Sequence, residues 1–336
     1  MIKIEQGKKY LVTGGSGFLG GELITRILDD GGKVVTVARN EGQLIKLKQK
    51  IGVVGNGFVG GAVKFGFSPQ VGCDAEVRVY DKNPNKSTHT LEETVNESDF
   101  IFLSVPTPSN EDGSINIDIL NDALNDINEV HTGKHNIILI RSTVIPGTTW
   151  ALQRKYPELK ILFNPEFLTE RSANFDFINQ SRFIIGHDAN QLSMMHSESF
   201  SDLIRDRFGD CVAILETNYE TAELIKYMSN CFFATKVSFM NEMYQIAEKI
   251  DADWDAAVDG FVGDGRIGHS HLGVPGHDGK FGFGGSCFPK DIQAMIEFAE
   301  MFGIEPSVLK GVWKKNLDVR PEQDWKKLKG RAVVDE

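Results

Sequence analysis

The run Gly282-Phe283-Gly284-Gly285-Ser286-Cys287-Phe288-Pro289-Lys290-Asp291 sets one cysteine after clustered glycines and directly before a stretch of helical periodicity. A thiolate is a strong nucleophile, and helix N-terminal amides with Lys290 nearby favour that ionised form. Gly284 and Gly285 would let the backbone approach a bulky ligand closely. An isolated cysteine is more often a small buried hydrophobe, which is the reading given to Cys73, Cys211 and Cys231. The setting of Cys287 marks it as a nucleophile instead. A thiolate of this kind suits oxidation of a primary alcohol to an acid, which needs two hydride removals. It holds the intermediate aldehyde as a thiohemiacetal, then carries a thioester that water cleaves.

Hydride removal needs an acceptor, and two strand–glycine–helix signals could hold one. Gly55-Asn56-Gly57-Phe58-Val59-Gly60 ends the apolar run IGVVG and opens a helix. Its glycines allow a tight turn, close approach of a pyrophosphate, and helix–strand packing. Asp81 ends the next apolar run, where a carboxylate accepts from a ribose 2′-hydroxyl and repels a 2′-phosphate, favouring NAD over NADP. The earlier turn, Thr13-Gly14-Gly15-Ser16-Gly17-Phe18-Leu19-Gly20, has the TGGxGxxG spacing of short-chain reductases and resembles the start of nucleotide-sugar epimerases and dehydratases, but Arg39 stands at its acidic position. The Tyr-xxx-Lys pair that such enzymes need is matched by Tyr156 and Lys160, in a polar link just before a strand rather than within a long helix.

Nine short apolar runs (10–14, 33–38, 51–55, 77–81, 99–105, 136–141, 160–164, 182–186 and 212–216) alternate with helical stretches such as 18–30, 118–129 and 197–207. Val- and Ile-rich runs without strict alternation predict strands buried on both faces, hence a mostly parallel sheet in an α/β fold. After Thr217 the pattern turns helical. A long helix is predicted over 219–250, with Leu224, Met228, Phe232, Phe239, Met243 and Ile246 on its apolar spacing. A second follows near 252–262, and others near 290–302 and 306–317. The nine glycines of 263–286 must form a loop. The expected division is a reductase-like fragment over 1–49, a Rossmann-like cofactor domain over 50–217 and a helical lobe over 218–320. The remaining residues, 321–336, read as the approach to a further strand.

Several motifs occur together in order: KIGVVGNGFVG (50–60), SVPTP (104–108), RSTVIPGTT (141–149), NPEFLTE (164–170), ETAELIKYMSN (220–230), GRIG (265–268) and GFGGSCFPKD (282–291). With these the chain resembles the UDP-glucose/GDP-mannose dehydrogenase family over about residues 50–320. The resemblance implies four-electron oxidation of a nucleotide sugar, UDP-glucose foremost, with Cys287 as nucleophile. It implies that Lys226 stabilises the alkoxide and thiohemiacetal oxyanions and that Asn230, one helical turn on, helps hold that oxygen. Asp291, Glu166 and Thr143 match positions that orient or activate water. Lys82, Pro106, Thr143, Glu170 and Lys290 match cofactor contacts beside Gly55, Gly57, Phe58, Val59, Gly60 and Asp81. Phe167, Leu168, Phe283, Gly284 and Phe288 match substrate-loop positions. Arg266 matches an arginine that reaches a neighbouring subunit's substrate, which implies a homodimer built on the long helix, and the resemblance further implies that 321–336 are the truncated start of a C-terminal uridine-nucleotide-binding domain.

Two other classes of function stay open at this point. One is a catalytically silent nucleotide-sugar-binding subunit; the other is a reductase or dehydratase working from the first glycine turn. Composition narrows the field further. A net charge of −11 argues against non-specific nucleic-acid binding. No run of 18 apolar residues predicts a membrane span, and the polar N-terminus does not read as a signal peptide. Four cysteines without framework spacing fit a reduced, cytoplasmic setting. His269, His271 and His277 have an HxH-x5-H spacing but no fourth ligand, so no metal is expected.

Overall fold

The computed structural model describes residues 9–13, 33–37, 48–133 and 135–335. The first glycine turn, Arg39 and the helix expected over 18–30 lie outside the described residues. Strands β1 (Lys9–Thr13) and β2 (Lys33–Val37) pair in parallel as a two-stranded sheet of their own.

The main sheet has seven strands: β3 (Lys50–Val54), β4 (Glu76–Tyr80), β5 (Phe100–Leu103), β6 (Ile137–Ile140), β7 (Ile161–Phe163), β8 (Arg182–His187) and β9 (Ala213–Asn218). Their order is β4-β3-β5-β6-β7-β8-β9, and every neighbouring pair is parallel except β7 with β8. Each of the nine expected strands is present. Successive residues of β5 and β6 explain their unbroken apolar runs. Ile101, Leu103, Ile138 and Ile140 join the core on one face, with Leu120, Leu124 and Ile127 of helix α3 (Asp118–Val130). Phe102, Ile137 and Leu139 join the core on the other, with Phe177 and Phe200. A strand covered on both faces gains nothing from alternation.

Helix α1 (Phe58–Gly66) follows β3, and α2 (Leu91–Asn96) is closed by a capping box in which Thr90 accepts from the Glu93 amide. The remaining helices of the sheet domain are α4 (Thr148–Lys155), α5 (Ala173–Ile178) and α6 (Gln191–Phe208). The helical lobe begins with α7 (Tyr219–Lys249), whose 31 residues rise roughly 45 Å. Asn218 caps it by accepting from the Thr221 amide. Helices α8 (Trp254–Val262), α9 (Phe288–Met301) and α10 (Ser307–Val319) complete the lobe, and no helix or strand interrupts 263–286. Tyr227, Cys231, Phe283, Ile292 and Val312 form a separate core among α7, α9 and α10.

The apolar spacing on α7 has a different meaning from the usual one. Leu224, Met228, Phe232, Phe239 and Ile246 are exposed, Phe232 at 62%. The buried side of the helix instead carries Ala222, Glu223, Lys226, Tyr227, Asn230 and Cys231. Small and polar residues thus face the lobe and the sheet domain, while the large apolar ones form an outward stripe.

Candidate active site

The second glycine turn has the geometry its spacing demands. Gly55 has φ +90°, and a Cβ there would stand 2.4 Å from the Ser104 carbonyl oxygen. A Cβ on Gly60 would stand 2.0 Å from the Gly55 carbonyl oxygen, so only glycine lets α1 start this close to β3. At Gly57, by contrast, a Cβ would meet nothing within 4 Å. Its Cα faces open space at the N-terminus of α1, where a phosphate is favoured by free amides and the helix dipole. The Asp81 carboxylate, just past β4, accepts from the Asn56 amide at 2.7 Å and is held at the turn. This cradle fits a dinucleotide.

A single cleft of about 530 Å³ runs from that turn to Cys287. Gly55, Gly57, Phe58, Val59, Asp81 and Lys82 line its first part. Pro106 and Thr143 line the middle, on two loops knitted together: Ser142 Oγ donates to the Val105 carbonyl at 2.7 Å, and Thr107 Oγ1 donates to the Thr143 carbonyl at 2.8 Å. Glu166, Glu170, Cys287 and Lys290 line the cleft as well. Gly60 is buried behind the turn and does not reach the cleft wall.

Behind Cys287 lies a buried ionic cluster. Lys226 Nζ donates to the Glu166 carbonyl at 2.6 Å and to its carboxylate at 2.9 Å. Asn230 Nδ2 donates to Asp291 Oδ2 at 2.6 Å, and Lys290 Nζ donates to Asp291 Oδ1 at 2.5 Å. The i, i+4 spacing of Lys226 and Asn230 therefore aims both into one group, as their places on one helix face require. Burial works to raise the Glu166 carboxyl. The charge and hydrogen bond of Lys226, with the Leu168 amide and Arg141, outweigh it and hold the group below the usual range. Burial likewise works against a charged Lys226, but the facing Glu166, Asp291 and Cys287 keep its ammonium above the ordinary lysine value.

Three expectations need correction. Cys287 is the N-cap of α9, yet its thiol is pushed up: burial comes first, and Glu166 and Asp291 add to it against Lys290 and Lys226. The Lys290 ammonium that was to favour the thiolate is already committed to Asp291. Gly284 does not open space for a ligand. A Cβ there would stand 2.6 Å from Arg320 Nη2, so glycine is needed to pass a buried arginine that Asp278 and Asp324 hold at 2.6 and 2.8 Å. Gly285, with φ +74° and nothing near its Cβ position, does face open space. Cys211 is exposed and Cys73 half-buried, so the small buried hydrophobe describes Cys231 alone.

The substrate-loop residues gather around the cluster rather than in the cleft wall. The Lys226 ammonium lies 5.3 Å from the Phe167 ring centroid, Leu168 is buried, and the Phe283 and Phe288 rings are 6.0 Å apart. Arg266 is exposed, paired to Asp264, and does not line the cleft of its own chain. Tyr156 is a core residue whose hydroxyl donates to Asn125, and neither it nor Lys160 lines the cleft. The His271 ring stacks on Phe233 at 4.3 Å, and among the described residues no three His, Cys, Asp or Glu side chains are grouped to hold a metal. Among the described residues no helix is long and apolar enough to cross a membrane.

Arg141 lines the cleft and escaped sequence reasoning. Arg141 is 1% exposed, bonds Asn164 through Nη1, and has no partner for Nε or Nη2. Burial pulls its guanidinium down to about 10, with Glu166 opposing. An arginine directly after an all-apolar strand was the available signal.

Comparison with known proteins agrees with this geometry. Residues 77–204 match the model of the NAD binding domain of the UDP-glucose/GDP-mannose dehydrogenase family, and 220–318 match that of its central domain. The glycine turn precedes the first of these stretches and stands on its own geometry. The UDP-glucose 6-dehydrogenase of Rickettsia prowazekii is 37% identical over 74% of this chain and 58% of its own length. The UDP-glucose 6-dehydrogenase YwqF of Bacillus subtilis is 34% identical over 68% of this chain and 50% of its own length. The chain thus spans only about half the length of such relatives. A UDP-glucose dehydrogenase structure from Pyrobaculum islandicum superposes with a TM-score of 0.68 at 28% identity, covering 83% of this chain and 69% of that one. With a sheet domain and helical lobe that each match in order, the chain belongs to the UDP-glucose/GDP-mannose dehydrogenase family, and the cofactor of its sheet domain is NAD.

Proposed function

We propose that this chain oxidises the C6 primary alcohol of a UDP-hexose, UDP-glucose foremost, to the uronate through Cys287. The observation that carries the reading is the single cleft that joins the glycine turn and Asp81 to Cys287. NAD, when bound there, supplies the acceptor for a hydride at each of two oxidations. Residues 50–217 hold it, with Lys82, Pro106, Thr143, Glu170 and Lys290 as further contacts.

The chain's own groups manage protons and oxygen charge. Lys226, kept protonated by its carboxylate neighbours, faces the alkoxide of the first oxidation, with Asn230 holding the same oxygen. The thiol adds to the resulting C6 aldehyde. A C–S bond forms, the thiol proton passes to a carboxylate of the cluster, and the carbonyl electron pair moves onto oxygen opposite Lys226. The second hydride loss leaves a thioester, and water oriented by Thr143, Glu166 and Asp291 cleaves it to carboxylate and free thiol. One alcohol, two NAD and one water thus give one carboxylate, two NADH and three protons. Phe167, Leu168, Phe283 and Phe288 shape the sugar subsite around this cluster.

The outward stripe on α7, continued by Ile250 at 69% exposure, supports a homodimer through that helix, in which Arg266 reaches the partner's site. Incubation of the protein with NAD and a panel of nucleotide sugars tests the chemistry. Two NADH per sugar are expected with UDP-glucose, and Cys287→Ser should form none beyond the first oxidation. One NADH per sugar with free aldehyde released by the unaltered protein would refute the thioester route.

A further inference from the structure

Beyond α10 the chain packs first on that helix and then on a loop of the sheet domain. Trp325 is 2% exposed with its ring 5.4 Å from Trp313, and Ala332 is buried. The Ser109 amide donates to the Ala332 carbonyl at 2.9 Å, and the Val334 amide donates to the Ser109 carbonyl at 3.0 Å. Ser109 ends the SVPTPS segment whose Pro106 and Thr107 line the cofactor part of the cleft. This backbone pairing puts Arg331 into the cleft wall, where its Nη2 donates to Glu170 Oε1 at 2.7 Å. The two side chains are 44% and 53% exposed. An ion pair so open to water adds little to folding, so its position is the informative property. It joins a residue of the returning segment to a carboxylate that lines the cleft.

We propose that Arg331 is a positioning residue of the cofactor site: the segment seated on Ser109 delivers its guanidinium to Glu170 and fixes that carboxylate for contact with the dinucleotide. A planar guanidinium orients a carboxylate more sharply than an ammonium does. Without Arg331, Glu170 would stand free in the cleft and repel the cofactor's diphosphate. The proposal rests on the reading that the glycine turn of 55–60 holds NAD.

Fluorescence titration of the full chain with NADH separates the two ideas. Arg331→Ala should weaken binding about tenfold, the scale of one charge-assisted hydrogen bond, without lowering the thermal midpoint. Arg331→Lys should recover part of the loss. In the Glu170→Gln background, Arg331→Ala should bring no further loss, because Arg331 acts only through that carboxylate. Unchanged affinity in Arg331→Ala, or a loss that simply adds to that of Glu170→Gln, would overturn the proposal. If Gly57→Asp abolishes binding while Arg331→Ala leaves it intact, only the role of Arg331 falls. If Gly57→Asp also binds normally, the cofactor reading falls with it.

Discussion

Replacing Glu223 with glutamine should flatten the dependence of stability on pH. Glu223 is fully buried on α7, one turn before Lys226, and reaches across to the sheet domain. Its carboxylate accepts from the Gly147 amide at 2.6 Å and the Thr149 amide at 2.7 Å, closing the N-terminus of α4. Burial pushes its carboxyl up to about 7 from 4.5, although the hydrogen bonds of Thr149 and Gly147 pull the other way. The unfolded chain releases this proton near 4.5 and the folded chain keeps it to about 7. Stability therefore falls as pH rises between those values and is level above them. At about 1.4 kcal/mol per pH unit, the group removes roughly 3 kcal/mol across that window. Denaturant unfolding of both proteins from pH 4.5 to 8.5 checks this. The difference in unfolding free energy between Glu223→Gln and the unaltered chain should change by about 3 kcal/mol in favour of glutamine as pH rises. Parallel curves would refute the reasoning, showing that two amides at a helix N-terminus offset the burial of this charge.

Two glycines of one turn should respond in opposite ways. Gly60→Ala forces a methyl against the Gly55 carbonyl and should cost about 1–3 kcal/mol by thermal unfolding. Gly57→Ala, with open space around it, should leave stability within about 0.5 kcal/mol while weakening NADH binding in a titration. Arg141→Met should be neutral or stabilising, since it removes a buried charge with two unpartnered nitrogens. The same change takes a cation from Glu166, so the acid limb of the pH–rate profile should move to higher pH; an unmoved limb would deny Arg141 any part in keeping Glu166 ionised.

The strands and the long helix were legible because their signal is local. Runs such as FIFL and IILI have no polar residue to spare, and α7 has no Gly or Pro over 31 residues. Helices α2, α4 and α5 went unmarked, being only six to eight residues long, too short for a period to show. Spacing identified the apolar side of α7 but not what covers it, and in the folded chain that side faces outward. The members of the candidate site were readable from order and type, including the shared orientation of Lys226 and Asn230. Their charge balance was not. Whether Lys290 favours the Cys287 thiolate depends on Asp291 taking its proton-bearing end at 2.5 Å, a contact between adjacent residues that sequence alone leaves open. The role of Gly284 depended on Arg320, 36 positions away, and on the two aspartates that hold it.

The two cores have a consequence for how damage would show itself. The sheet's cores carry the glycine turn and the smaller core among α7, α9 and α10 carries Cys287, and the two are joined along α7, whose Tyr219 and Ala222 belong to the first and Tyr227 and Cys231 to the second. A cavity cut into either core is only partly refilled by relaxation, which displaces the side of the cleft that core supports. Cofactor and sugar would each still find an intact half-site, yet the gap between sulfur and acceptor would be out of alignment. Such variants should lose kcat far more than they lose either affinity.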